Sequence, residues 1–198
     1  MADPTWKNYF EKTGYEPNSL VKRAARMIPK QNRRTALDLG CGNGRDSLYL
    51  KNEGFGLVVA VDSSPDAPLY LGEGIVRHAA TIEEMVLGKS DPGFDDYYDL
   101  VIAMNSLFFL NKEIVEEVVA QMYRALAPGG AMAFNVLGDH DEWVMNGGKR
   151  VSWFSDQEVA DFEDFYHSVY SAEVKEAGQT ADGEPKFWQT YSLICKKQ

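Results

Sequence analysis

Asp38-Leu39-Gly40-Cys41-Gly42-Asn43-Gly44 is the densest group of residues in this chain with the means to do chemistry. Glycines at such a turn admit positive φ angles and bring the backbone close to a ligand. The run leaves an apolar stretch, Thr35-Ala36-Leu37-Asp38-Leu39, and opens a helix that reads from Arg45 to Asn52. Asp62 ends the next apolar run, Leu57-Val58-Val59-Ala60-Val61. A carboxylate placed there accepts hydrogen bonds from both hydroxyls of a ribose, so the expected ligand carries an adenosine-like sugar. A dinucleotide turn spells G-x-G-x-x-G, and its third glycine would fall on Arg45. The spacing here is G-x-G-x-G, preceded by an acid. Asp38 would repel a pyrophosphate and suits a cationic ligand, such as an amino group beside a sulfonium. An ordinary tight turn and a dinucleotide site are the competing readings.

A second group follows the fifth expected strand: Gly138-Asp139-His140-Asp141-Glu142-Trp143. His140 is the candidate general base, with a solvated loop histidine as the alternative. Asp139, His140 and Asp141 have metal-ligand chemistry, but adjacent residues rarely all point inward, so no metal is expected. This loop, the stretch from Met145 to Trp153, and Tyr9 with Phe10 are the expected walls of a substrate pocket. Phe108, Phe109 and Trp188 add aromatic faces, with plain core packing as the alternative. Lys22, Arg23, Arg26, Lys30, Arg33 and Arg34 form a basic run, read as a solvated face or as an attractor of acidic ligands. His78, His167 and Cys195 read as structural, and Cys41 as a shape-determining residue of the glycine loop.

The elements that must position these residues alternate. Leu57 to Val61, Gly74 to Ala79, Asp99 to Met104 and Ala131 to Leu137 continue the series of strands begun at Thr35. Near-continuous apolar runs of this kind fit strands buried on both faces of a parallel sheet. Ile114, Val115, Val118, Val119, Met122 and Leu126 recur at helical spacing, with Asn111 to cap the start and Pro128-Gly129-Gly130 to stop the helix. Ser155-Asp156-Gln157-Glu158 is a capping box, flanked by Phe154 and Val159 as a staple. His167 to Lys175 and Phe187 to Lys196 read as an antiparallel pair joined by a loop from Gly178 to Gly183. Asn18-Ser19 caps a helix running through Met27, expected over the ligand-binding edge of the sheet. The fold class is α/β: a doubly wound, Rossmann-like, seven-stranded sheet of five parallel strands plus a C-terminal antiparallel pair, with an N-terminal helical extension. One domain spans 1–198, comprising a helical cover (1–34), a cofactor-binding core (35–138), and a substrate loop, helix and closing strand pair (139–198).

The chain of 198 residues is long enough to bury a full core without disulfides or structural metals. It is 44% hydrophobic and 25% charged, and its 20 basic and 30 acidic side chains leave a net charge of −10. That balance repels polyanions and disfavours general binding to nucleic acid or anionic membranes. Two cysteines make no disulfide framework and point to a reducing compartment. No apolar run approaches the roughly 20 residues of a membrane span, and Met1-Ala2-Asp3-Pro4-Thr5-Trp6 lacks the apolar segment of a signal peptide. The expected compartment is the cytoplasm, and the expected state is a monomer or homodimer.

Leu37-Asp38-Leu39-Gly40-Cys41-Gly42-Asn43-Gly44-Arg45 resembles the signature of class I S-adenosylmethionine-dependent methyltransferases. The resemblance extends to Asp62, to the strand and loop from Asp99 to Leu110, to the Leu126-Ala127-Pro128-Gly129-Gly130 turn and to the closing strand pair. Gly40 to Leu50, with Asn8-Tyr9-Phe10 upstream and Lys196-Lys197 at the end, is most similar to the tellurite-resistance-type branch. The resemblance implies S-adenosylmethionine as cofactor and S-adenosylhomocysteine as product. It implies that Gly40, Cys41 and Gly42 line the methionine part, that Asp38 lies near its amino group, and that Asp62 holds the ribose. Ser63 would flank the adenine, and Asn105 would sit near the methionine moiety or the transferring methyl. Many family members carry an acid after the third strand for the adenine amino group. Here Ala79-Ala80-Thr81-Ile82-Glu83 occupies that region, and Thr81 or the Ile82 backbone is expected to serve. The implied activity is in-line methyl transfer to a small-molecule acceptor, a chalcogen oxyanion or thiol in this branch. An O- or N-methyltransferase is the alternative within the class, and a non-catalytic S-adenosylmethionine sensor the alternative outside it.

Overall fold

The structure, a computed structural model, describes residues 10, 14–68, 71–86, 97–147, 150–180 and 183–198. Its centre is a sheet of β1 (Thr35–Leu39), β2 (Leu57–Val61), β3 (Ile75–His78), β4 (Tyr98–Ala103), β5 (Leu126–Gly138), β6 (Trp153–Phe154), β7 (Ser168–Gln179) and β8 (Pro185–Lys196). The order is β3-β2-β1-β4-β5-β8-β7. β1 to β5 run parallel, while β8 is antiparallel to β5 and β7 antiparallel to β8. The sheet has eight strands rather than the expected seven, because Trp153 and Phe154 pair in parallel with Leu137 and Gly138 at the end of β5.

Alternation within the strands builds a core on each face. Leu37, Leu39, Val59, Val61, Val101 and Phe134 face one way, and Ala36, Val58, Leu100, Ile102, Ala131 and Ala133 the other. The first face is covered by α3 (Ile82–Val86), α4 (Lys112–Ala125) and α6 (Asp156–Phe165), the second by α1 (Ser19–Met27) and α2 (Arg45–Asn52). α4 buries Val115, Val118, Val119, Met122 and Ala125. Asn111 stands at its N-cap without a side-chain cap hydrogen bond. The helix ends at Ala125 and the chain enters β5 directly at Leu126. Pro128 and Gly129 are therefore the exposed part of an irregularity in that strand, and no separate loop intervenes. The Ser155–Glu158 capping box forms on both sides.

The N-terminal helix packs on a sheet face, not over the ligand edge; only its start reaches that edge. Asn18 caps it, accepting from the Leu20 N–H. Its end is held by Arg33, a member of the basic run. Arg33 is 7% exposed and donates to the Ala25, Ile28 and Glu53 carbonyls as well as to the Glu53 carboxylate. Arg34 pairs with Asp99, Lys22 with Glu16, and Arg23 lies 4.2 Å above the Tyr170 ring. These four residues of the basic run are engaged in intramolecular contacts.

The closing strands are longer than their apolar content indicates. β5 pairs with β8 only from Ala131↔Lys196 to Leu137↔Thr190, while β7 follows β8 to Gln179↔Pro185. Gly178 lies within β7, and the hairpin projects beyond β5 at the end of the sheet where the glycine loop sits. A further short helix, α5 (Glu142–Met145), leans on this projection, its N-cap Asp141 bonding to Lys186 and to the Gln189 N–H.

Candidate active site

Strand order reverses at β1, which pairs with β2 on one side and β4 on the other. The loops after β1 and β4 must part at such a point, and they leave a crevice there. The glycine loop is fixed to β2, because the Gly40 and Cys41 N–H groups both donate to the Val61 carbonyl, at 2.8 and 2.9 Å. It also touches the loop after β4, where Ser106 Oγ donates to the Leu39 carbonyl at 2.9 Å. At Gly40, φ is +77°, and a Cβ would lie 2.4 Å from Ser106 Cβ. The two loops approach this closely only around a glycine. Gly44, at φ +81°, is the N-cap of α2 and faces Leu71.

The crevice has a volume of about 280 Å³. Gly40, Gly42, Asp62, Ser63, Thr81 and Ile82 line it together with Asn105, so most of the residues read from the sequence meet there. Asp62 is bound at both oxygens. Oδ2 accepts from the Gly42 N–H and Oδ1 from the Ser64 N–H, each at 2.8 Å. Phe10 also lines the crevice and lies against Gly42, while Tyr9 is outside the described residues.

Asp38 and Cys41 stand behind the wall. Asp38 is 2% exposed and accepts from Ser47 Oγ on α2 at 2.5 Å. Burial, with the nearby Asp46 charge, pushes its carboxyl up to about 8, so it is largely protonated at neutral pH. Asp46 is raised too, chiefly by burial, although it accepts the Asn18 N–H at 2.7 Å. Cys41 packs with Ala60 and Leu71, and burial pushes its thiol upward. Neither group has the lowered pKa of a nucleophile.

Beyond β3, Thr81 caps the short α3: its N–H donates to Glu84 Oε2 and its hydroxyl accepts from the Glu84 N–H. Ile82 supplies an apolar wall and is 8% exposed. Glu83, passed over in the sequence reading, reaches the crevice itself. Its signal was present, since it is the first acid after the third strand.

Asn105 leaves β4 with φ +53°. Its N–H donates to Asn135 Oδ1 and its own Oδ1 accepts from Asn135 Nδ2, both at 2.7 Å. Asn135 is the polar residue in an otherwise apolar stretch of β5, a signal the sequence reading did not use. Asn105 and Phe109 also border a second cavity of about 480 Å³. Its wall is completed by Trp143, by Trp188 and other residues of the projecting hairpin, and by the starts of α1 and α2.

His140 enters neither cavity. Its side chain is 67% exposed, its Nε2 is 3.8 Å from Asp139, and its N–H donates to Gln189 Oε1. Asp141 is turned the opposite way, fully buried against Lys186 at 2.5 Å. The Lys186 ammonium lies 3.4 Å from the Trp188 ring centroid and 4.5 Å from that of Trp143. Asp139, His140 and Asp141 therefore do not converge. Among the described residues no cluster of potential ligands for a metal ion is present.

This strand order, with its reversed final pair and a glycine-walled crevice at the switch point, is the architecture of Rossmann-like methyltransferases. The crystal structure of TehB from Haemophilus influenzae superposes with a TM-score of 0.74 at 20% identity, over 98% of this chain and 67% of that one. Residues 5–183 match the profile of the family described as tellurite resistance protein TehB, and the chain belongs to that family. A probable S-adenosyl-L-methionine-dependent methyltransferase TehB of Haemophilus influenzae is 30% identical over 94 residues, covering 48% of this chain and 32% of the relative. A cypemycin N-terminal methyltransferase of a Streptomyces species is 36% identical over 118 residues, 58% of this chain and 46% of that protein. The matches thus span from about a third to somewhat under a half of these curated relatives.

Proposed function

We propose that this chain is an S-adenosylmethionine-dependent methyltransferase acting on a small molecule. The carrying observation is Asp62 at the mouth of the crevice, held by two backbone N–H groups of which one belongs to the glycine loop. A carboxylate has about four acceptor positions. Two are used here, and two are left for the vicinal hydroxyls of a ribose. Gly40 and Gly42 give the methionine part a wall of bare backbone. Ile82 offers an apolar face to the adenine, with Ser63 beside it and Glu83 as the acceptor for its amino group. Thr81 holds this edge through its helix cap. Asp38 acts through α2 and the loop above it.

When bound, the cofactor supplies a methyl group already activated by its sulfonium. The protein's share is alignment and exclusion of water. Asn105 stands where the two cavities meet, fixed by Asn135, and separates donor from acceptor without a titratable group. His140 has no part in this arrangement. The second cavity favours an enzyme over a sensor, since sensing the donor requires no room beside it.

Calorimetry with S-adenosylhomocysteine tests the reading. Wild-type protein should bind it, and Asp62→Ala should weaken binding by about 1–3 kcal/mol, the worth of a buried hydrogen bond to a charged group. Unchanged affinity in the variant would remove the ribose assignment. Binding without turnover of any acceptor would return the sensor reading.

A further inference from the structure

We infer that Asn135 is a positioning residue: it turns Asn105 so that amide N–H groups, and not a carbonyl, face the point where the donor crevice and the second cavity meet. That junction takes an atom with an unshared electron pair and refuses a protonated amine. This rests on the methyltransferase reading and goes beyond it. Among the described residues, Asn105 and Phe109 line both cavities. Glu83 lines the donor crevice and Glu176 the second cavity, and neither carboxylate is shared. Phe109 brings an apolar ring, so Asn105 supplies the polar side chain at the junction.

The orientation of both amides follows from one fixed point. A backbone N–H only donates, so the Asn135 atom that meets the Asn105 N–H at 2.7 Å is the oxygen. The nitrogen of the same amide then faces the Asn105 side chain, and the atom it meets at 2.7 Å is Oδ1. Asn105 Nδ2 and its hydrogens are what remain, and among the described residues nothing accepts from them. Turning the Asn105 amide alone would set N–H against N–H. Turning the Asn135 amide would do the same at the backbone and lose both bonds. Asn135 is 6% exposed and fixed on β5 opposite Ser192 of β8, so unpaired groups there are costly. Asn105 stands at φ +53°, a conformation asparagine tolerates and the reciprocal bonds hold. Asn135 borders the second cavity and not the first, so the amide it holds lies on the acceptor's side.

The polarity of the junction follows. Amide N–H groups carry positive partial charge and no unshared pair. A molecule entering from the second cavity gains a hydrogen bond by turning a lone-pair atom toward Asn105. An ammonium group has no such atom and meets the N–H groups head on. Asn135 thus sets specificity without touching either ligand, by deciding which end of a neighbouring amide is presented.

Calorimetry with S-adenosylhomocysteine and with sinefungin tests the inference. Sinefungin is the donor analogue in which an amine stands in place of the transferring methyl. The readout is the ratio of its Kd to that of S-adenosylhomocysteine, which a general loosening of the fold does not bias toward the amine. Asn135→Asp keeps the side chain's size and accepts at both oxygens. It still takes the Asn105 N–H, but it draws Nδ2 inward and turns Oδ1 out. The ratio should fall about tenfold, the worth of one charge-assisted hydrogen bond. Asn105→Gly suits the same φ and removes the amide. It should lower the ratio about threefold through loss of the opposing N–H groups, and adding Asn135→Asp to it should lower the ratio no further. Cooperative thermal unfolding shows which variants are folded, and Asn105→Gly decides the matter if Asn135→Asp is not. An unchanged ratio in either folded single variant would overturn the inference. So would a double variant whose ratio falls below that of Asn105→Gly, since the new charge would then act directly. Wild-type protein that binds neither ligand is a different result: it would overturn the donor reading, and this inference with it.

Discussion

Asp38 shows how a residue chosen for one role can be placed for another. A charged side chain at the end of β1 suits a cationic ligand, but this carboxyl sits behind the loop and is pushed up to about 8. Folding then takes up a proton at this site. The stabilisation from that uptake is complete below the ordinary carboxylate pKa of about 4 and is lost as pH rises through about 8. Asp38→Asn keeps an acceptor for Ser47 and has no charge to bury. Urea midpoints at pH 5 and pH 9 should therefore differ less in the variant than in the wild type; an equal difference would show that Asp38 ionises freely. That Gly40, Gly42 and Asp62 line one crevice was legible because their placement depends on local backbone and on the end of a strand. Glu83 and Asn135 left signals that went unread, the first acid after the third strand and the polar residue of β5, because the wall or partner each one meets is distant in sequence. His140 was misleading for a physical reason: in a run of polar loop residues, sequence does not say which side chain turns inward. It was Asp141, through its pairing with Lys186.

At the scale of elements, the pairing of Lys186 with Asp141 fastens α5 to the projecting hairpin. Both side chains are essentially buried, and Asp141 also accepts from the Trp143 and Gln189 N–H groups. Removing one member leaves an uncompensated buried charge, at a cost of about 3–5 kcal/mol. Lys186→Met should lower thermal stability by that amount. With Asp141→Asn added, the double variant should lose less than the sum of the two single losses, a coupling measurable by a double-mutant cycle. Additive losses would show that the pair does not act as a unit. β1, β2, β4 and β5 were legible because burial on both faces leaves near-continuous apolar runs. The hairpin's true length was not, since its outer residues from Lys175 to Gln179 are exposed and include no large apolar side chain. Nor does a two-residue strand such as β6 leave a periodic signal.

Across the whole molecule, the crevice is assembled by segments remote from one another. Phe10 and Gly14 are tied down by Asn43, whose Nδ2 donates to their carbonyls at 3.3 and 2.9 Å. Phe10 is thereby kept on the crevice wall beside Gly42. Asn43→Ala should speed release of S-adenosylhomocysteine in stopped-flow measurements more than it slows capture, because Phe10 on the crevice wall bears on a ligand already seated. Equal release rates would mean that Phe10 holds its place unaided. Among the described residues no helix is long and apolar enough to cross a membrane. The party wall of Asn105 and Phe109 between the two cavities carries one more consequence. Whatever factor the first occupant imposes on the affinity of the second, the second must impose on the first, because binding free energies around a closed cycle sum to zero. A molecule that tightens the grip on S-adenosylhomocysteine must itself be held more firmly once that product is seated, so a coupled titration searches for tenants of the neighbouring chamber before any product has been made.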